Sequence, residues 1–185
     1  MIPVKCFATS ETHNTPRTAS RKGGSDLSKI TYLINKILPL PTFIHSGFEL
    51  CETIPVNTGL GFEDVDTTKL TADVLPLFST SKLSWTNDVN IIDFIVEANK
   101  VLEPYLIDNY TLKTINTDVD TVVAFEIIGN SEVIFVANYD ISATINIDAN
   151  VNEYKVLLGD TSITLKDNKL KIKLKEFSFV VLVVM

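Results

Sequence analysis

Two short polar stretches contain the residue types that could do chemistry in this chain. The first is Glu11–Arg17 (ETHNTPR), and the second is His45–Glu49 (HSGFE). Imidazole, amide, guanidinium and carboxylate groups bind polar ligands, and histidine and glutamate can also transfer protons. The second stretch carries one carboxylate, Glu49, and a lone acid cannot perform chemistry that needs two. We therefore favour a supporting role for Glu49 over a catalytic one.

Each polar stretch follows a predicted strand. The strands are Val4–Thr9 and Leu40–Ile44, and a helix between them is predicted from apolar residues at helical spacing: Leu27, Ile30, Leu33, Ile34, Ile37 and Leu38. Strand, helix and strand with short links form a right-handed parallel crossover. Because parallel strands end at one edge, we expect a shared site made by His13, Asn14, Arg17, His45 and Glu49. The alternative is that these side chains only hold the loops by hydrogen bonds.

The middle of the chain combines a long irregular segment with a second helix. Residues 51–85 show no clear periodicity, and loops of this length are usually functional or carry local structure of their own. Trp85 and Phe62 lie in or beside this segment, where they could stack on the ring of a ligand or, alternatively, pack the loop onto the domain. Asn87 and Asp88 then predict the start of a helix that ends before Pro104.

Beyond about Ile107 the hydrophobic period changes to two, which predicts a small antiparallel β-sandwich. In Lys169–Lys175 lysines alternate with apolar residues, which indicates a strand with one solvated face and not a nucleic-acid site. The predicted strands are Thr111–Asn116, Thr121–Ile128, Glu132–Asn138, Ser142–Asp148, Tyr154–Leu158, Ser162–Leu165, Leu170–Leu174 and Phe177–Val184. We therefore predict two domains, an α/β region over 1–106 with its long loop at 51–85, and a β-sandwich over 107–185.

The composition excludes several classes of partner. A net charge of −7 argues against nucleic acid or anionic membrane, which need a basic surface. The sequence has no apolar run long enough to cross a bilayer and no signal-peptide pattern at residues 1–5, so we expect no membrane partner and a cytoplasmic location. Cys6 and Cys51 are predicted to be buried free thiols, the alternative being a disulfide between them. Together with His13 and His45 they match no closed zinc pattern, so we predict no metal and no cofactor.

The two polar stretches resemble motifs of the α-amylase family. Thr12–Arg17 resembles the His-Asp-Thr-Pro-Arg element on the seventh strand of these enzymes, and Phe43–Glu49 resembles the Pro-x-x-x-x-Gly-x-Glu element on the eighth. Pro55–Leu60 and the strands ending at Val184 also look like the family's last loop and C-terminal domain. The sequences of these motifs are most similar to those of bacterial maltosyltransferase-like and amylase-like members.

The resemblance implies a fold of α/β plus all-β class. Residues 1–106 would be the last two β/α units of a (β/α)8 barrel, and a C-terminal antiparallel β-sandwich would follow. One strand–helix–strand–helix piece cannot bury both faces of a parallel sheet. It must therefore dock on another element or belong to a longer barrel.

The resemblance also implies retaining cleavage of α-1,4-glucans or maltosyl transfer, which uses a carboxylate nucleophile and a carboxylic acid. In the family these two groups lie on the fourth and fifth strands, which have no counterpart here. Asn14 falls at the position of the family's third carboxylate, which stabilises the transition state, but an amide offers no negative charge. His13 matches a histidine that binds sugar hydroxyls, and the implied substrate-binding set is His13, Arg17, His45 and Glu49.

Three hypotheses about function follow from the resemblance. In the first, the chain is the C-terminal part of an enzyme that binds α-glucan or maltooligosaccharide, and it has no activity alone. In the second, it is a non-catalytic module that binds α-glucan or completes a separate chain carrying the missing N-terminal part of the barrel. In the third, it is a truncated product without a role, whose exposed sheet edge would make it poorly soluble.

Overall fold

The computed structural model of the chain describes residues 6–55, 82–106, 110–148 and 152–185. The chain divides into two compact units, one assigned to Met1–Lys36 and Leu40–Ile95 and the other to Ile37–Pro39 and Val96–Met185. Val4, Phe62, Ile107 and most of the predicted loop at 51–85 lie outside the described residues. The predicted domain boundary near Leu106 stays a prediction.

The first unit contains one parallel contact where two strands were expected. Within residues 6–55 the predicted strands meet in a single bridge between Ala8 and Thr42. The N–H of Ala8 donates to the carbonyl of Pro41 at 2.9 Å, and the N–H of Phe43 donates to the carbonyl of Ala8 at 2.8 Å. Pro41 has no N–H to extend the ladder, so the pairing is shorter than the apolar runs predict.

The described residues contain two α-helices, and the second of them is divided between the two units after Ile95. α1 spans Gly24–Ile37 and α2 spans Ile92–Leu102, followed by a 3-10 turn over Glu103–Tyr105. Asp26 in the first turn of α1 and Lys36 in its last turn complement the helix dipole. Both helices confirm the sequence prediction, although α2 begins later than Asn87 and Asp88 indicated. The side chain of Asn90 accepts a hydrogen bond from the N–H of Ile92 at 3.2 Å, which helps to fix this start.

The two cysteines are both free, but only one of them is buried. Cys51 is buried and Cys6 is exposed, so the prediction of two buried thiols is wrong for Cys6. The reason is local, because the segment around Cys6 pairs through one bridge and is not enclosed in a sheet. Burial raises the pKa of the Cys51 thiol above its ordinary value, which keeps that thiol protonated near neutral pH.

The second unit confirms the antiparallel β-sandwich. One sheet has the strand order β1-β2-β3-β8-β5 and the other the order β4-β7-β6, and every pairing in them is antiparallel. Alternate residues of the two sheets form one buried cluster, which includes Val136, Ile172 and Leu182. The strands are β1 Thr111–Ile115, β2 Val122–Ile128, β3 Glu132–Asn138, β4 Ala143–Asp148, β5 Tyr154–Leu158, β6 Ser162–Lys166, β7 Lys169–Leu174 and β8 Ser178–Val184.

Local sequence signals fix the details of this sandwich. Asp167 and Asn168 both have positive φ, at 52° and 60°, which forms the two-residue turn between β6 and β7. β7 alternates exposed lysines with buried Leu170, Ile172 and Leu174, as the sequence predicts. No helix within the described residues is long and apolar enough to span a membrane.

Candidate functional site

The candidate site is held together by a buried ion pair between Glu11 and Arg17. Arg17 Nη1 donates to Glu11 Oε1 at 2.7 Å, and both side chains are 2% exposed. The second carboxylate oxygen, Oε2, accepts the backbone N–H of Thr18 at 2.6 Å. Both oxygens of Glu11 therefore have a donor, which offsets part of the cost of removing the charges from water.

Arg17 also connects the first polar stretch to the second. The same Nη1 lies 2.8 Å from His45 Nδ1 and 3.0 Å from the carbonyl oxygen of Ser46. Nη1 carries two hydrogens and faces three acceptors, counting Glu11, so at least one hydrogen is shared. Arg17 Nε is buried and has no hydrogen-bond partner among the described residues. One guanidinium thus connects the first polar stretch to His45 and Ser46 of the second, which lie 28 and 29 positions later in the sequence.

His45 is neutral in this arrangement. Arginine can only donate hydrogen bonds, so Nδ1 of His45 must accept and its proton must lie on Nε2. Burial, followed by the charge of Arg17, lowers the pKa of His45 below its ordinary value of 6.5, although Glu11 opposes this effect. The 3.6 Å approach of Nδ1 to Glu11 Oε1 is therefore not a salt bridge at neutral pH. Among the described residues the remaining donor, Nε2–H, has no hydrogen-bond partner.

Gly47 follows these contacts at a position where only glycine fits. Its φ is +94°, which L side chains rarely adopt. A Cβ there would lie 2.9 Å from side-chain atoms of Glu52 and Leu83, and 3.4 Å from Arg17 Nη2. The glycine of the second motif therefore lets the loop close over the Arg17 guanidinium.

His13 and Asn14 lie on a hydrogen-bonded turn and are exposed. The N–H of Thr15 donates to the carbonyl of Thr12 at 3.1 Å, and the hydroxyl of Thr15 accepts the N–H of Thr12 at 2.9 Å. The N–H of Asn14 donates to the hydroxyl of Thr12 at 3.2 Å. The two threonines therefore build the turn with their own hydroxyls, and the imidazole and the amide face solvent.

Glu49 is turned toward its own loop. Its Oε2 accepts the N–H of Gly47 at 3.1 Å, and its backbone carbonyl accepts the N–H of Ile91 at 2.9 Å. The structure therefore brings Arg17 and His45 into direct contact, exposes His13 and Asn14 on the adjoining turn, and gives Glu49 a loop-stabilising bond. The role of each residue toward a ligand stays a prediction.

Within the described residues the site forms an open edge and not a pocket. The cavity beneath it, lined by residues that include Glu11, Tyr32 and His45, has a volume of about 10 Å³. That volume is at the lower limit for one water molecule. A wider cleft of about 540 Å³ lies in the second unit among Ser142–Thr144, Asp160–Ser162 and Lys173–Lys175. A ligand of the candidate site would therefore bind against exposed side chains.

The sequence analysis missed the role of Glu11. Glu11 was counted as the start of the polar stretch, whereas in the structure it is the buried carboxylate that neutralises Arg17. A glutamate is almost never fully buried unless it is paired, but the sequence around Glu11 gives no sign that this residue is buried. Spacing alone does not identify its partner.

Solved structures reveal what the fold resembles, although the sequence matches no protein-family model and no curated protein. The α-amylase from Geobacillus thermoleovorans in complex with acarbose is 13% identical, with a TM-score of 0.69 over 96% of this chain and 38% of that enzyme. AmyP in complex with maltose is 13% identical, with a TM-score of 0.68 over 95% and 40%. The debranching enzyme from Nostoc punctiforme is 19% identical, with a TM-score of 0.60 over 95% and 35%.

This chain has an α-amylase fold in part. Its mostly β second unit matches the C-terminal β domain of these enzymes. The chain spans about two-fifths of the length of the α-amylases that it matches. At these identities the similarity shows a shared fold, and the activity of this α-amylase-like chain is a matter for proposal.

We predict that Arg17→Met strongly destabilises the first unit. The substitution leaves Glu11 as a buried charge without its partner, which typically costs about 3–5 kcal/mol. Denaturant unfolding of the full chain would measure the change. Adding Glu11→Gln to Arg17→Met should recover part of the loss, because the stranded charge is removed.

The exposed pair of Lys29 and Asp26 provides the matched control. Its atoms are 2.9 Å apart, but the side chains are 31% and 58% exposed. Lys29→Met should cost no more than about 1 kcal/mol. Equal losses for Arg17→Met and Lys29→Met would contradict the structural role given to Arg17.

We also predict that His45 makes stability depend on pH in a defined window. Because the folded-state pKa of His45 lies below 6.5, the unfolded chain takes up a proton first as the pH falls. The contribution of His45 to the free energy of unfolding is therefore complete above pH 6.5. It is lost as the pH falls from that value through the lower folded-state pKa. Urea unfolding between about pH 7.5 and about pH 5 would measure this loss.

His45→Gln tests the assignment, since glutamine keeps an acceptor for Arg17 but does not titrate. The sequence contains two histidines, so His13→Gln is the natural control. The pH dependence should flatten in His45→Gln and persist in His13→Gln. A slope that survives in His45→Gln would show that another group causes it.

Proposed function

We propose that this chain is the C-terminal part of an α-amylase-type enzyme that acts on α-1,4-glucans. In this proposal residues 1–106 supply the last two β/α units of a (β/α)8 barrel, and the β-sandwich over 107–185 follows them. The observation that carries it is the contact made by Arg17, which joins the two motif stretches at one open edge. The fold shared with α-amylases agrees with it, and two of those enzymes are seen with acarbose and maltose.

The exposed side chains at this edge suit a sugar. His13 and Asn14 present donors and acceptors to solvent, and Nε2–H of His45 is available for a hydroxyl oxygen. An α-glucan is uncharged, so the acidic net charge of the chain does not oppose its binding. Arg17 acts through the loops that it fixes, because its own guanidinium is buried.

In this proposal the glycosidic bond is broken by residues in a part of the enzyme that this sequence does not contain. Retaining cleavage or maltosyl transfer needs a nucleophilic carboxylate and a second carboxylic acid about 5 Å away. Glu11 is paired with Arg17, and Glu49 accepts a bond within its own loop, so neither is placed as a free acid. Asn14 can bind hydroxyls but cannot stabilise a cationic sugar by charge.

We expect the chain alone to bind maltoheptaose and not to cleave it. Calorimetric titration should show saturable binding, and the release of reducing sugar should equal that of a heat-inactivated sample. The double variant His13→Ala/Asn14→Ala should bind about ten-fold more weakly, because two exposed hydrogen-bonding groups are lost.

Asn146→Ala serves as the control for that variant, because Asn146 is exposed on β4 in the other unit. Its affinity should equal that of the wild-type chain. Turnover by the purified chain, or unchanged affinity in the double variant, would contradict the proposed arrangement.

A second candidate function is a non-catalytic module that completes a separate chain. The observation that favours it is an exposed apolar surface beside the Ala8–Thr42 bridge. The rings of Phe7 and Phe43 contact each other edge to face, with their centroids 5.5 Å apart, and both side chains are exposed. Leu40 and Ile44 are also exposed, and apolar side chains next to an unextended parallel pairing suit further strands of a barrel.

This candidate predicts a stoichiometric complex between the chain and a polypeptide that carries the missing barrel strands. Size-exclusion chromatography of the co-expressed polypeptides would detect it. Phe43→Asp should disrupt the complex, because it places a charge in the apolar surface. The exposed residue Ile141 of the second unit gives the control Ile141→Asp, which should leave the complex intact.

A further inference from the structure

Trp85 is exposed in a way that the rest of the fold does not require. Its side chain is 68% exposed, and it is the only tryptophan in the sequence. A tryptophan that packed its loop against the domain would be largely buried. The first of the two alternatives raised by the sequence, stacking on a ligand, therefore fits the structure better than the second.

Trp85 is held on a turn that is fixed from both sides. The N–H of Asn87 donates to the carbonyl of Ser84 at 3.3 Å, which closes the turn around Trp85. The N–H of Ser84 donates to Glu52 Oε1 at 2.9 Å, and Asn87 Nδ2 donates to the carbonyl of Leu50 at 3.0 Å. The indole is therefore presented by an anchored segment, which lowers the conformational entropy lost when a ligand binds.

The anchored turn rests on the same loop as the candidate site. Glu52 and Leu50 belong to the loop that starts at His45 and Ser46, the residues contacted by Arg17. The side chain of Leu83, two residues before Trp85, packs against Gly47. The turn that carries Trp85 is therefore attached to the loop that begins at His45.

The chemistry of Trp85 matches a neutral sugar ring. The indole gives a wide apolar face with one N–H donor at its edge. A glucose ring has an apolar face of C–H groups and hydroxyls around its rim. Such a ring gains from stacking and loses no charge solvation, whereas an ionic ligand would have to be desolvated.

We propose that Trp85 is a stacking platform for a glucose ring of an α-1,4-glucan, adjacent to the edge formed by His13, Asn14 and His45. This inference rests on the proposed function, because it names a further specificity-determining residue for the same site. The glucose ring next to those hydrogen-bonding residues is bound through its hydroxyls. A neighbouring glucose ring of the glucan is bound through its apolar face, which stacks on Trp85. The occupant is therefore an oligosaccharide of several units and not a single glucose.

The single tryptophan makes a direct test possible. Titration of the full chain with maltoheptaose should shift the indole emission and protect it from acrylamide quenching, in step with binding measured by calorimetry. Trp85→Ala should weaken maltoheptaose binding about ten-fold, and Trp85→Phe about three-fold, because phenylalanine keeps a smaller face. Ile141→Ala is the matched control, since Ile141 is also 68% exposed but lies in the other unit.

The outcomes separate this inference from the proposed function. A coupled change in emission and affinity, absent for Ile141→Ala, supports the stacking role. Calorimetric binding with unchanged emission and unchanged quenching, or with full affinity in Trp85→Ala, overturns the stacking role and leaves the proposed function standing. A folded wild-type chain that shows no calorimetric binding overturns both. Circular dichroism of each variant establishes that it is folded.

Discussion

The buried ion pair between Glu11 and Arg17 is the interaction on which the first unit depends. Two ionised groups removed from water carry a desolvation cost of several kcal/mol each, which only good geometry can offset. Here both oxygens of Glu11 have donors, and Arg17 reaches the second loop through His45 and Ser46. With one parallel bridge between the two segments in the described part of the chain, these polar contacts supply the order that a longer ladder would otherwise give.

This arrangement separates buried residues that hold the edge from exposed residues that face solvent. Glu11 and Arg17 are buried and mutually neutralised, whereas His13 and Asn14 are exposed on a turn built by threonine hydroxyls. His45 lies between these groups, with one nitrogen bound to Arg17 and the other available. The proposed ligand of this edge is an uncharged, hydroxyl-rich chain that lies along it, since the cavity found beneath the edge among the described residues holds only about 10 Å³.

The β-sandwich is stabilised by different means. Its core comes from the alternation of apolar residues in two sheets, and the central strand β3 is buried from Val133 to Asn138. The polar residue in that strand, Asn138, is fully buried, and its amide donates to three backbone carbonyls, those of Asp140, Ile141 and Lys175. One side chain thus supports the connection between β3 and β4 and the turn before β8. Among the described residues of this unit no charged side chain is buried.

The sequence by itself determined the secondary structure of the sandwich almost completely, since the observed strand ends differ from the predicted ones by no more than one residue. Alternation along β7 and the Asp167-Asn168 turn are local signals, read within a few residues. It also determined both helices and the residue types of the polar stretches. Local signals did not predict three other features. These are the delayed start of α2 at Ile92, the shortness of the parallel pairing and the exposure of Cys6.

Only the tertiary structure decided which of the polar residues contact one another. Arg17 contacts Glu11, six residues earlier in the sequence, and His45, twenty-eight residues later. Side-chain types at such separations do not specify which groups meet, because burial and hydrogen-bond geometry arise only when the loops are folded together. The same holds for Trp85, whose sequence allows a packed or an exposed ring. Its exposure follows from where Leu83 and Asn87 attach their turn to the neighbouring loop.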